Sequence, residues 1–354
     1  MANRVTRNFI DNLPKAELHV HLEGTLEPEL RLKLARKNHI DIGTDSLETL
    51  KATYHYDTLA SFLAVYYSAL DVLQTESDFY DLAFTYLKKV HENNVQHVEM
   101  FFDPQAHTSR KISFETVING FSKAAEDAKK FGVDAQLIMC FLRDFSKESA
   151  RKSLEAAKPY QDKILGIGLD SDEHNNPPLK FATAFDNAVS EGYHITMHAD
   201  VDQVDSIDHI KQALEIIGVE RLDHGTNIVE NPDLVDFVST NKIGLTSCPN
   251  SNQFLSQDMK GAEVKTLLDR DVKVSINSDD PAYFGGYIND NYWSITKNYE
   301  LTQEQVVQLA KNSFETAWIS DSQKNNYMKQ IDNYVANFDR EFYNQVSHLL
   351  KVAK

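Results

Sequence analysis

The chain has 354 residues, 42% of them hydrophobic, and its 36 basic against 53 acidic residues leave a net charge near −17. That charge repels phosphate backbones and argues against a nucleic-acid partner, and no apolar run approaches the roughly 20 residues that a membrane helix needs. Cys140 and Cys248 are too few for a disulfide framework or a cysteine-based zinc site and fit a reducing compartment; with no apolar leader in MANRVTRNFIDNLPK, a cytoplasmic location is expected.

In chain order, the first short strand signal is AELHVHLEG (16–24). A connection of about 70 residues follows; it contains FLAVYYSALDVL (62–73), so helices folded over one mouth as a substrate lid are expected. Then come VQHVEMFFDP (95–104), the helical stretch SFETVINGFSKAAEDAKKFG (113–132), AQLIMCFLR (135–143), ILGIGLDS (164–171) and HITMHAD (194–200). A second helical stretch, DSIDHIKQALEIIG (205–218), leads to RLDHGTN (221–227), IGLTSCPNSN (243–252) and VKVSINSDDP (272–281). Both helical stretches close on a glycine suited to a helix C-terminus. Beyond residue 300 the pattern is helical. Strand and helix alternating eight times predicts an α/β fold, a parallel (β/α)8 TIM barrel with additional helices over its C-terminal mouth and at the C-terminus. The lack of a Pro- or Ser-rich linker predicts a single domain over 1–354.

Most of these strand signals end in metal-capable residues, and in a parallel barrel the C-terminal strand ends form the active face. His19 and His21, two apart on a strand, point to one side. One histidine among 13 would mean little. The joint placement of His19, His21, His198, His224 and the pair Asp279 and Asp280 at matching strand ends predicts a mononuclear metal hydrolase. Phe62, Tyr66 and Tyr67 lie at a helical spacing that favours core packing over stacking on a ligand, and Cys248 reads as structural.

The stretches LPKAELHVHLEGTLEPEL, FFDPQAH, CFLRDFS, GIGLDSDE with NPPLKF, HAD at His198, LDHG and NSDDPAYFGGY together resemble the adenosine and adenine deaminase family of the amidohydrolase superfamily, closest to its adenine deaminase branch. The resemblance spans almost the whole chain. It implies that His19, His21, His198 and Asp279 bind one divalent metal ion, zinc first, and that His224 orients the metal's water. It also implies that Asp280 contacts the purine at N7, with Asp170 and Ser171 at the far edge of the base. For Asp170 and Ser171 a strand-end turn held by side-chain hydrogen bonds is the open alternative. The implied reaction is hydrolytic deamination of a purine base, adenine to hypoxanthine plus ammonia, in purine salvage.

One departure stands out. The family reads His-Ala-Gly-Glu after the fifth strand, and its glutamate protonates the ring; here the chain reads His198-Ala199-Asp200-Val201. Asp200 or Asp202 can take over as the acid, or the substrate can be adenosine or an N6-substituted aminopurine, or the protein can be a catalytically weak, metal-binding purine sensor. A phosphoesterase is disfavoured because Arg143 is the only basic residue found at a strand end. The partner expected is a small purine, with no nucleic acid and no membrane, and a homo-oligomer left open.

Overall fold

A computed structural model describes residues 5–56, 58–199 and 204–352, with side chains to residue 340. Eight strands run in sequence order: β1 (Lys15–Glu17), β2 (Val95–Phe102), β3 (Asp134–Leu142), β4 (Gly166–Asp170), β5 (His194–Ala199), β6 (Arg221–His224), β7 (Gly244–Ser247) and β8 (Lys273–Ile276). Every neighbouring pair is parallel. The ring closes beyond the first and last strands, where the His21 amide donates to the Asp279 carbonyl (3.0 Å) and the Asp279 amide donates to that of His19 (3.1 Å). The TIM barrel expected from the alternation is therefore the fold observed.

The helices form for local reasons that also bury one face. In Phe114–Ala128, Ser113 caps the first turn by accepting from the Thr116 amide at 3.1 Å. Phe114, Val117, Ile118, Phe121, Ala124, Ala125 and Ala128 repeat every three or four residues and are all buried. Each of the large apolar side chains contributes about 1.5–3 kcal/mol on burial. Phe121 meets Phe79 of the helix Glu76–Glu92 edge to face, ring centroids 5.3 Å apart. The chain then turns at Gly132 (φ 87°), and the second expected helix, Ser206–Lys211 with its extension Gln212–Ile217, stops at Gly218 (φ 77°).

Four expected strands end well short of the stretches assigned to them: β1, β6 (at His224), β7 and β8 (at Ile276). β1 stops at Glu17 because the Leu18 amide donates to the Asn277 side chain (2.8 Å) instead of a neighbouring strand. β7 stops at Ser247, and SCPNSN leads instead into the helix Pro249–Ser256, where Pro249 supplies a preset helical φ. The long first connection folds as helices Pro28–Asn38, Leu47–Ala52 and Leu59–Ala69, and the chain ends in Ile288–Tyr299, Gln303–Glu315 and Asp321–Val352. None of the described helices is long and apolar enough to cross a membrane.

The barrel interior is polar at its N-terminal end. Glu99, His97 and Arg221 are all fully buried there. Arg221 Nη1 donates to Glu99 at 2.5 Å, the His97 ring bonds Glu99 at 3.1 Å and Asp134 at 2.9 Å, and the Trp318 amide donates to Glu99 at 2.6 Å. The Arg221 guanidinium also lies 4.2 Å over the Trp318 ring.

Candidate active site

The C-terminal strand ends carry the chemistry, and the backbone bends to place it. Ser171, His224 and Asp279 have positive φ of 74°, 59° and 63°. Such conformations cost of order 1–3 kcal/mol each and persist where the surroundings enforce them. At His224 the bend breaks the strand alternation, so that consecutive residues Asp223 and His224 both reach the same group of imidazoles. The bonds that close the barrel join His19 and His21 to Asp279, so one set of backbone contacts closes the fold and assembles the cluster.

His19, His21, His198 and Asp279 each offer one atom to a cluster whose members all lie within 4.8 Å of one another. Asp279 Oδ1 is 3.3 Å from His19 Nε2 and 3.4 Å from His21 Nε2, and the Nε2 atoms of His21 and His198 are 3.2 Å apart. Burial pushes the His19 imidazole down to about 3, although Asp279 opposes it, and burial with the neighbouring imidazoles pushes His198 well down too. Both rings are therefore neutral at pH 7. His19 Nε2 is buried with no hydrogen-bond partner, facing a carboxylate. Three imidazole nitrogens and a carboxylate oxygen converging this closely in a buried pocket form a donor set that fits a divalent metal. His224 stands beside it, Nε2 3.8 Å from Asp279 Oδ2. Cys248, expected to be structural, is buried, and its sulfur comes within 4.8 Å of donor atoms of His224 and Asp279.

A cavity of about 210 Å³ opens over these residues. Asp280 lines it, its carboxyl held well above the ordinary range by burial and by the charge of Asp279. Asp170 and Ser171 line it as well. Burial raises Asp170 to about 7, and burial with the Asp170 charge raises Asp103 strongly. Asp170 Oδ2 is 3.3 Å from His21 Nδ1, and the Ser171 hydroxyl bonds the Tyr67 hydroxyl at 2.8 Å. Tyr67 belongs to the lid helix Leu59–Ala69, whose Phe62 and Tyr66 also face the cavity. Phe62 packs on Phe284 at 4.7 Å between centroids and Tyr66 on Tyr283 at 5.5 Å. The expectation of core packing is half of the answer: Phe62 and Tyr66 are buried and Tyr67 half-buried, and all three also line the cavity.

Two acidic cavity residues went unassigned in the sequence. Asp103 follows β2, and Glu173 follows β4 and lies 3.5 Å from Arg143 Nη1. Arg143 is fully buried and donates to the His198 carbonyl at 3.0 Å, so the lone basic residue noted at the strand ends braces the site from behind and does not line the cavity. An acidic residue closing an apolar strand was the available signal for Asp103. Asp200 and Asp202, the candidate acids, lie outside the described residues.

Comparison with known proteins follows the same lines. The model of a family described as adenosine deaminase matches residues 14–334. An uncharacterized deaminase of Schizosaccharomyces pombe is 48% identical over 94% of this chain and 98% of its own. The adenine deaminase of Acinetobacter baylyi is 47% identical over 92% and 98%. The crystal structure of an adenine deaminase from Arthrobacter aurescens superposes with a TM-score of 0.88 at 38% identity, covering 92% of this chain and 99% of that one.

Proposed function

The chain belongs to the adenosine deaminase family, and from that premise we propose that it hydrolytically deaminates a free 6-aminopurine, adenine to hypoxanthine with release of ammonia, in purine salvage. The observation that carries the reading is the convergence of three imidazoles and Asp279 beside the cavity. Its size suits a purine ring: an engineered cavity of about 150 Å³ holds benzene, and this one is about 210 Å³.

His19, His21, His198 and Asp279 would hold the ion, zinc first among those that suit imidazole and carboxylate donors. A divalent ion there supplies the Lewis acidity that makes water a nucleophile at neutral pH. His224, beside Asp279, orients that water and accepts its proton. Asp280 faces N7 of the ring, Asp170 and Ser171 the opposite edge, and the lid aromatics exclude bulk water. As water adds to C6, N1 must take a proton, and we assign that donation to Asp200 or Asp202, on the loop where Val201 replaces the glutamate of the family. The same replacement supports, as a second reading, an N6-substituted adenine with different protonation demands.

The test is to incubate the metal-loaded protein with adenine, adenosine, deoxyadenosine and N6-methyladenine and follow ammonia and the ultraviolet spectrum. Adenine should be turned over with the highest kcat/KM. Preference for N6-methyladenine selects the second reading, and turnover of none of the four contradicts both.

A further inference from the structure

Asp223 sits on β6 between His198 of β5 and Thr246 of β7, its direct cross-strand neighbours by register. It is fully buried and lines no part of the cavity described above. Its Oδ1 accepts from the Thr246 hydroxyl at 3.2 Å and its Oδ2 from the Thr196 hydroxyl at 2.8 Å, with Arg221 Nε 3.9 Å away as a countercharge. The Thr246 oxygen is in turn 2.8 Å from His19 Nδ1, and Asp223 Oδ2 is 3.8 Å from His198 Nδ1, which is buried with no hydrogen-bond partner.

A carboxylate has no proton to donate, so the single hydroxyl proton of Thr246 goes to Asp223. Thr246 can then only accept from His19, which places the His19 proton on Nδ1 and leaves its Nε2 lone pair facing Asp279. The same carboxylate faces Nδ1 of His198, so it favours the same tautomer there and directs that Nε2 toward His21.

We propose that Asp223 is a positioning residue for the metal centre, one carboxylate that sets the tautomer of two ligating imidazoles, His19 through the Thr246 hydroxyl and His198 directly. It rests on the reading of His19 and His198 as metal ligands. Groups that orient ligating histidines in this way change metal affinity about 10- to 100-fold when removed. Thr246→Val keeps the shape and deletes the hydroxyl; Thr246→Ser keeps the hydroxyl; Asp223→Asn keeps the size and removes the charge.

The experiment measures the zinc dissociation constant of the stripped protein by competition with a chromophoric chelator, and the His19 tautomer by imidazole nitrogen NMR. Thr246→Val and Asp223→Asn should bind zinc about 10- to 100-fold more weakly, Thr246→Ser should match the native protein, and Thr246→Val should lose the uniform Nδ1–H form of His19. Should Asp223→Asn fail to fold, the Thr246 pair decides alone. Native affinity and tautomer in Thr246→Val would overturn this inference and leave the metal site standing. A native protein without stoichiometric metal would overturn the metal reading and this inference with it.

Discussion

Replacing Glu99 with alanine tests the buried charge cluster at the closed end of the barrel. Glu99 accepts from Arg221 Nη1, from the His97 ring and from the Trp318 amide, and all three charged residues are fully buried. Burial alone would raise the carboxyl, yet Arg221 and His97 hold it down at about 2, so it is ionised throughout the usual range. The alanine variant leaves a guanidinium, an imidazolium and an amide buried without their acceptor. Breaking a buried pair from one side costs about 3–5 kcal/mol. For a chain of this size about 1 kcal/mol moves the midpoint by about 2 °C, so the loss corresponds to about 6–10 °C. Thermal unfolding followed by near-ultraviolet circular dichroism measures it, with Glu99→Gln, which keeps an acceptor for the amide, falling in between. A shift under about 2 °C would refute the reasoning, because it would mean that the Trp318 ring and the Thr316 carbonyl suffice to hold Arg221.

The same cluster predicts a pH dependence. Although burial opposes it, Asp134 and Glu99 raise His97 to about 9, so its contribution is complete below the ordinary value of 6.5 and is lost as pH rises through about 9. Glu99, held at about 2, contributes fully above its ordinary 4.5 and is lost as pH falls through about 2. Midpoints measured from pH 6 to 10 should therefore fall more steeply for the native protein than for His97→Gln, and parallel curves would contradict the assignment. Gly24→Ala would place a Cβ 1.8 Å from Asp280 Oδ1, so that carboxyl must move; kcat/KM for adenine should drop at least about tenfold with metal content intact, and native kinetics would show that Asp280 does not need its place. Of Asp200→Asn and Asp202→Asn, one should lose most of its kcat, by about 100-fold or more; full activity in both would move the proton donor elsewhere.

The fold was legible because apolar runs and amphipathic stretches alternate eight times, and Gly132 and Gly218 mark helix ends where they were expected. What misled was local. LHVHLEG reads as a continuing strand, but the Leu18 amide leaves the ladder for the Asn277 side chain, a contact 259 residues away that no window can register. SCPNSN reads as a strand end, whereas Pro249 starts a helix. In the site, His19, His21, His198, His224 and Asp279 could be picked out because each interrupts or ends an apolar run with a metal-capable side chain. Asp103 and Glu173 were passed over because a single acid after a strand looks like any turn residue, and only the packing of β2 and β4 round the ring turns them toward one cavity. Asp223 was hidden beside His224, since strict alternation would send one of the pair outward and the positive φ at His224 cannot be read from letters.

Metal content bears most directly on the whole account. Elemental analysis of the protein purified without chelator should give one divalent ion per chain, with His198→Ala and Asp279→Asn losing it and His224→Ala keeping it while losing turnover. A native protein that carries no ion yet deaminates adenine, or ligand variants that retain theirs, would contradict it.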